Sequence, residues 1–458
     1  MIQRTYLPSI RKFSTGRSTK ALYWLAALSV LIVFSTSTVH ATPSYARQTN
    51  LACNACHYTY PELTPFGRLF KLNGYTMTGI PALQSAHKEH TDLKIPEVLP
   101  LSAMVLTSYN SVNKAVSGTS QSFAELPQQL SVFASGEVTP NIGTFVQITY
   151  DPTSGTFGMD NTDIRYANHA IVGSRDLLYG LTLNNNPTVQ DVWNSTPAWG
   201  FPFVSSGGAP TPTASTMIEG ALAGNVAGLG AYALYNDLVY GEISLYGSTP
   251  QGVSYPPDGT WSETIKGAAP YWRLALQHDW GTDYLEVGTY GMSASLFPTG
   301  ITGSTDTYTD VAFDAQYEKH LGGGSLIAHT TYIIENQNLD ATYAAGGSAS
   351  PSNKLNTFKV DCSYNFPADV ALTLGYLATS GTTDAVLYAP AAVAGSFSGS
   401  PNSSAVTAQF TYIPWWNTQF AVQYVAYNKF NGGSTNYDGS GRNASDNNTL
   451  YLSGWLLF

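Results

Sequence analysis

The sequence predicts an all-β protein, a transmembrane antiparallel β-barrel of about 16 strands. Three observations support this prediction. Short segments in which apolar and polar residues alternate follow one another along most of the chain. Charged residues make up only 11% of it, while tyrosine occurs 30 times and glycine 42 times. After residue 41 no apolar run reaches the roughly 18 residues that a membrane-spanning helix needs, so strands would have to cross the membrane.

The alternation is clearest between residues 354 and 365. Lys359, Asp361 and Ser363 share one face of this segment, and the other face carries Phe358, Val360, Cys362 and Tyr364. A period of two with one apolar face is typical of a strand, and it makes Cys362 a small lipid-facing side chain. About 16 such segments occur, at residues 98–110, 128–138, 142–151, 161–171, 177–185, 228–237, 238–248, 270–279, 282–294, 306–317, 323–336, 354–365, 370–380, 404–413, 416–428 and 447–458.

The connections between these segments alternate in length. Short turns such as those at 140–141, 322–323 and 414–415 alternate with long loops that are rich in glycine, serine, threonine and asparagine. Bacterial outer-membrane barrels combine short periplasmic turns with longer outer loops in this way. The last segment alternates out to a terminal Phe458, which resembles the signal that such barrels present to their assembly machinery. Residues 98–458 are therefore predicted to form a porin-like barrel in contact with outer-membrane lipid.

The N-terminal 41 residues have the features of a secretory signal peptide. Five basic residues and no acidic residue precede or flank a short apolar run at 21–34, and small residues close the segment at Ala41. The whole chain has 20 Lys and Arg against 30 Asp and Glu, so the mature part would have 15 against 30, a net charge of −15. This charge disfavours nucleic acid as a partner and is compatible with the attraction of small cations.

Residues 53–57 read Cys-Asn-Ala-Cys-His, which is the attachment motif of a c-type haem. Cys53 and Cys56 would form thioethers to one covalently bound haem, and His57 would be the proximal ligand of its iron. Met77 is the leading candidate for the distal ligand, with His87 and His90 as alternatives. A redox Cys-x-x-Cys pair or half of a zinc site would use the same residues, but an exported chain with an adjacent histidine favours haem.

The predicted haem segment, residues 42–97, is small for a domain that folds alone. The haem itself would serve as part of its core, and the barrel would supply the remaining walls. We therefore expect this monohaem cytochrome c segment to lie in or under the barrel as a plug.

The stretch from Thr42 to Asn50, the haem motif, and the stretches 61–68 and 70–75 together resemble the outer-membrane fused monohaem cytochrome c–porin family of iron-oxidising bacteria. Residues 184–203 are similar to the same family. The resemblance implies an oxidoreductase in the cell outer membrane that oxidises Fe(II) at the cell surface. The electron would pass through the single haem to a periplasmic cytochrome c or cupredoxin. Two alternatives stay open: a haem-plugged porin, and an outward electron conduit that uses a donor or acceptor other than iron.

The alternation also predicts which charged side chains face the lumen. The bases are Arg165, Arg273 and Lys359, and two histidines, His169 and His329, share their face. An excess of carboxylates would concentrate cations in the lumen, although ordinary polar lining of a water-filled barrel explains the same pattern. The predicted inward acids are Glu137, Asp163, Glu242, Asp279, Glu286, Asp310, Asp314, Glu335 and Asp361.

One predicted loop, residues 186–227, is far longer than ordinary connections and is therefore a functional candidate. It would be the third long loop, which in general porins folds inward and narrows the channel. Its aromatic residues would then lie close to the haem segment. A loop that packs only on itself at the surface is the alternative. The aromatic residues concerned are Trp193, Trp199, Phe201 and Phe203.

Overall fold

The computed structural model describes residues 43–77, 99–152, 155–249 and 256–458. The predicted signal peptide lies outside these residues, as do His87 and His90. Three short helices lie within residues 43–77: α1 (Ser44–Thr49), α2 (Cys53–Cys56) and α3 (Pro65–Leu72). In the described part of the chain, no helix is long and apolar enough to cross a membrane.

Seventeen strands follow in the described residues from 99 onward, and all but one are long. The exception, β8, has two residues and pairs with β10 inside a long connection. The strands are β1 (Leu101–Val112), β2 (Ser122–Thr139), β3 (Ile142–Asp151), β4 (Thr156–Val172), β5 (Arg175–Asn184), β6 (Val226–Tyr235), β7 (Val239–Ser248), β8 (Thr264–Ile265), β9 (Ala269–Asp279), β10 (Asp283–Phe297), β11 (Asp306–Leu321), β12 (Gly324–Asn338), β13 (Ser352–Phe366), β14 (Val370–Gly381), β15 (Ser403–Trp415), β16 (Thr418–Lys429) and β17 (Thr449–Leu457). A helix, α4 (Asp340–Ala344), lies between β12 and β13.

The sixteen long strands close into one antiparallel barrel. Each pairs with its neighbours in chain order, and β1 pairs with both β2 and β17. Tyr109 of β1, for example, lies opposite Ala124 on one side and Leu452 on the other. Closure leaves no edge strand with unpaired backbone groups, which is the condition for a sheet to cross lipid. The predicted all-β antiparallel barrel and the predicted number of strands are both confirmed.

The outer face of the barrel is apolar. Trp280, Phe366, Trp415, Trp416 and Phe458 are exposed near the end that carries the short turns, and such aromatic girdles lie at the membrane interface. Cys362 points outward as predicted. A closed barrel with this surface is an outer-membrane protein in contact with lipid. Exposed aliphatic side chains of the strands include Leu181, Leu183, Leu229, Ile243, Leu245, Leu274, Leu276, Leu372, Leu374, Val406 and Val422.

The lumen is occupied from two directions. Helices α1–α3 and residues 73–76, which we call the plug, lie inside the end with the short turns, where the chain enters β1 and leaves β17. The connection between β5 and β6, residues 185–225, folds inward, and Trp193 within it is fully buried. We call this connection the inward loop. The predicted inward course is confirmed, and the surface-loop alternative is wrong.

Candidate functional site

The two cysteines of the haem motif lie on one turn of helix. Cys53 begins α2 and Cys56 ends it, and the N–H of His57 donates to the carbonyl oxygen of Cys53 at 3.0 Å. Both cysteines are free thiols and half-buried. Burial raises the pKa of Cys56 to about 12 and also raises the pKa of Cys53, so both are protonated at neutral pH. Two thiols three residues apart on one turn fit attachment to one edge of a porphyrin.

His57 has the properties that an iron ligand needs. Burial lowers the pKa of His57 to about 4, so its imidazole is neutral at physiological pH. Its Nδ1 atom is buried without a hydrogen-bond partner. The ring lies 5.2 Å from that of Tyr60, measured between centroids, and both residues line a cleft. The opposite wall of the cleft comes from the barrel, from Phe366, Val370, Ile413 and Trp416.

A glycine lets α3 lie against α2. A Cβ atom at Gly67 would come within 2.2 Å of the carbonyl oxygen of Cys56, so no larger residue fits there without a shift. Thr64 caps α3 by accepting a hydrogen bond from the N–H of Gly67 at 3.1 Å, and Pro65 occupies the first turn. The same threonine donates to the carbonyl oxygen of Ala55 at 2.5 Å. The cap of α3 thus also fixes the haem motif.

The plug is fixed to the barrel wall beside the haem motif. The N–H of Tyr60 donates to Oε1 of Gln419 at 3.0 Å, and the Tyr60 hydroxyl bonds to the carbonyl oxygen of Trp416. Tyr58 donates to Glu318 of β11 at 2.9 Å, and Arg68 forms a buried ion pair with the same carboxylate. These contacts hold the Cys53–His57 segment at the end of the barrel that carries the short turns.

The other end of the plug packs against β3 and β4. The hydroxyl of Tyr75 donates to Asp163 at 2.7 Å. Gly143 allows the plug backbone to approach β3 closely, because a Cβ atom there would lie 2.1 Å from the carbonyl oxygen of Gly74. Met77 follows this contact directly and is half-buried. Helix α3 lies between it and Cys56, and the assignment of Met77 as distal ligand stays a prediction.

The inward loop contacts the plug directly. Lys71 of α3 donates to the carbonyl oxygens of Val189 and Asp191, at 2.6 and 2.7 Å, and its Nζ atom lies 4.6 Å from the ring centroid of Trp199. Burial and the nearby Arg165 guanidinium lower the pKa of Lys71 to about 7. The N–H of Leu63 donates to the Asn194 side chain at 3.0 Å. Plug and inward loop therefore form one packed interior.

The predicted lumen acids are mostly inward but are engaged in structural contacts. The Arg273 guanidinium binds Asp191 of the inward loop at 2.8 Å and Asp314 at 2.7 Å. The N–H of Ile218 donates to Asp310 at 2.8 Å, and Ser195 donates to Asp314 at 2.5 Å. The predicted acids that are buried are Asp163, Glu242, Glu286, Asp310, Asp314, Glu335 and Asp361.

Two expectations about these acids need correction. Asp279 is exposed at the β9–β10 turn, where it accepts a hydrogen bond from Gly281, because β9 ends at this residue. Asp310 and Asp314 are buried rather than exposed to an open lumen, and one oxygen of each is engaged by groups of the inward loop and, at Asp314, by Arg273. Within the described residues, no group of three or more His, Cys, Asp or Glu side chains is arranged to hold a metal ion.

Sequence reasoning missed a buried polar cluster at the junction of plug and barrel. It consists of Glu62 of the plug with His329, Asp361 and Glu318 of the wall, all at most 6% exposed. Nδ1 of His329 lies 3.0 Å from Asp361, and its Nε2 lies 3.9 Å from Oε1 of Glu62. Burial raises the pKa of Glu62 to about 7. Glu318 shares the inward parity of Asp310 and Asp314, so a predicted strand only one residue longer would have included it.

The fold and this interior define a class: an outer-membrane, porin-like β-barrel whose lumen holds a plug with a Cys-x-x-Cys-His motif. No protein-family model and no curated protein sequence matches the chain. Among solved structures, the chain is similar to the outer-membrane channel DcaP of Acinetobacter baumannii, at 14% identity and a TM-score of 0.45 over 78% of this chain and 96% of that one. It is also similar to OmpF of Salmonella typhi, at 13% identity and a TM-score of 0.44 over 78% and 97%. A loop-deletion mutant of OmpT from Vibrio cholerae gives 12% identity and a TM-score of 0.44 over 78% and 98%.

Proposed function

We propose that this protein is an outer-membrane oxidoreductase that oxidises Fe(II) at the cell surface and passes the electron through one c-type haem to a periplasmic carrier. The observation that carries the proposal is the position of the Cys53–His57 motif, which lies inside the barrel at the end with the short, periplasmic turns. A segment of this size cannot itself cross a hydrocarbon layer about 30 Å thick. Held inside the barrel at this end, the same segment lies where a periplasmic carrier could take up its electron.

Different residues of the plug would have different roles in holding the haem. Cys53 and Cys56 would hold the haem covalently, and the neutral imidazole of His57 would ligate its iron. When bound, the haem supplies a one-electron couple. Tyr60, which is buried, would lie beside it. One electron leaves each substrate Fe(II), which becomes Fe(III) outside the cell, and a periplasmic cytochrome c or cupredoxin takes that electron up.

The occupied lumen supports electron transfer over solute diffusion. Plug and inward loop meet through Lys71 and Leu63, and Arg273 ties the loop to the wall. A general diffusion porin would need this interior to be displaced. The second candidate function is an outward conduit, in which electrons would pass through the same haem in the opposite direction to an external acceptor.

The proposal is tested on the purified mature protein. We expect one haem per chain. When Fe(II) is added without oxygen, we expect that haem to become fully reduced, as measured by its visible absorption. Haem that only a periplasmic electron donor reduces would favour the outward conduit instead. A haem-free protein with high conductance in a planar bilayer would favour the porin.

A further inference from the structure

We propose that Asp310 and Glu335 share one proton, and that this buried acid pair is a pH-sensitive latch that holds the inward loop against the barrel wall. The two residues lie directly opposite each other on the neighbouring strands β11 and β12, and both are at most 1% exposed. Their carboxyl groups are within hydrogen-bonding reach of each other. Two carboxylates in such contact do not both stay ionised, because their charges repel and burial deprives each of water.

The donors around the pair indicate which oxygen carries the proton. Both oxygens of Glu335 accept hydrogen bonds, Oε2 from the N–H of Met217 at 2.5 Å and Oε1 from Nε2 of Gln337 at 2.6 Å. Oδ2 of Asp310 accepts from the N–H of Ile218 at 2.8 Å, whereas its Oδ1 is buried and has no donor. Buried polar atoms are nearly always partnered, and a proton on Oδ1 supplies the missing bond. Asp310 therefore donates to the carboxylate of Glu335.

The pair holds the inward loop by its backbone. Met217 and Ile218 begin a short 3₁₀ turn, and the N–H of each bonds to one of the two acids. The side chains of both residues are buried in an apolar cluster against the wall. When the pair loses its proton, two negative charges face each other beside this cluster, and their hydration requires water to enter. We therefore expect rising pH to release the turn from the wall.

The other titratable and charged groups near the pair do not neutralise it. Glu219 of the same turn adds a third carboxylate, but it is paired with Lys359 of β13 at 2.7 Å. Tyr308 of β11 and Tyr388 of the connection between β14 and β15 also lie near Glu335. A tyrosine hydroxyl is ordinarily neutral below about pH 10. Among the described residues, no Lys, Arg or His forms an ion pair with either acid, so the shared proton is what keeps the pair from carrying two charges.

The shared proton is measured by infrared spectroscopy of the mature holoprotein in detergent at neutral pH, because a protonated carboxyl group has a carbonyl stretch that an ionised one lacks. We expect Asp310→Asn to lose the intensity of one such group. An asparagine amide can donate to Glu335 and still accept from Ile218, so this variant keeps the bonds of the protonated acid without its proton. The matched control is Asp279→Asn, whose carboxylate is exposed at the β9–β10 turn and which should leave the band unchanged.

The latch is measured by single-barrel conductance in a planar bilayer from neutral to alkaline pH. Wild-type conductance should rise reversibly over the pH range in which the infrared band disappears. The conductance of Asp310→Asn should not show this rise, because its amide does not ionise. Glu335→Gln is the second variant and should behave in the same way. If one of the two does not fold, the other carries the test, with heat-dependent gel mobility as the criterion of folding.

Either of two results would overturn the proposal. One is an infrared band that Asp310→Asn reduces no more than the Asp279→Asn control does. The other is a wild-type conductance that follows that of Asp310→Asn at every pH. Neither measurement depends on reduction of the haem by Fe(II). Failure of the latch therefore leaves the proposed function standing, and failure of iron oxidation leaves the latch standing.

Discussion

Cys53 and Cys56 make no contribution to the closure of the barrel, which rests on pairing between β1–β7 and β9–β17. The double variant Cys53→Ala with Cys56→Ala should therefore lose all covalent haem but still insert into the outer membrane. In the wild type we expect one haem per chain that resists extraction by acidified acetone. Haem stain on a denaturing gel measures attachment, and the heat-dependent gel mobility of folded barrels measures insertion.

The matched control for this experiment is Cys362→Ala, since that thiol is exposed on the outer face of β13. It should keep full haem content. Extractable haem in the wild type, or zinc in its place, would contradict the assignment of the motif.

The predicted role of Met77 as distal ligand is tested by the reduction potential of the haem. A thioether ligand raises the reduction potential, so Met77→Leu should lower it or open the iron to carbon monoxide. A redox titration followed by visible absorption measures both effects. An unchanged spectrum and potential in this variant, together with a change in His87→Ala or His90→Ala, would move the distal ligand to that histidine.

At the scale of elements, the inward loop depends on carboxylates of the barrel wall. Asp310 accepts from the N–H of Ile218, and Asp314 accepts from Ser195 and binds Arg273. Replacing both by asparagine keeps a hydrogen-bond acceptor at each position, but it weakens the bond from Ser195 and leaves Arg273 with one carboxylate fewer. We expect the loop to loosen and single-barrel conductance in a planar bilayer to rise.

Asp279→Asn is the control for this variant, because its carboxylate lies exposed at the β9–β10 turn. Its conductance should equal that of the wild type. If the double variant conducts no better than the control at any ionic strength, the loop is held by packing around Trp193 rather than by these carboxylates.

Much of the element scale could be predicted from the sequence because a strand shows its two faces directly in its residues. The parity rule identified the buried carboxylates of β4 and β7, and all sixteen long strands were found. The parity rule did not locate the ends of strands. The predicted segment 306–317 stopped one residue before Glu318, whereas β11 continues to Leu321. Strand ends depend on turn geometry and on pairing partners, which alternation does not record.

At the scale of the whole molecule, the sequence could not predict which groups meet inside the lumen. Glu62 and His329 are 267 positions apart, and nothing local in either segment indicates the other. The contact between Asp310 and the N–H of Ile218 could not be predicted either, because every residue except proline has a backbone N–H. The inward side of most of the predicted acids was therefore predictable, Asp279 excepted, but their partners follow only from the path of the plug and the inward loop.

The proposed role of the haem motif also depends on the combination of plug and barrel. A barrel alone would let solutes pass, and a haem segment alone would stay on one side of the membrane. Lys71, Tyr75 and Arg68 pack the plug against the inward loop and the barrel wall, and the proposed function requires an electron to cross this occupied lumen. The account therefore depends on whether an electron donor outside the cell reaches the haem.

Reduction of the haem by external Fe(II) in intact cells tests this claim most directly. Cells that express the wild type, and cells that express Cys53→Ala with Cys56→Ala, receive Fe(II) without oxygen while the absorption of reduced c-type haem is followed. The account predicts prompt reduction in the wild type, beyond the background given by the double variant. If external Fe(II) leaves the haem oxidised while a donor supplied from the periplasm reduces it, the iron-oxidation proposal is contradicted and electrons flow outward.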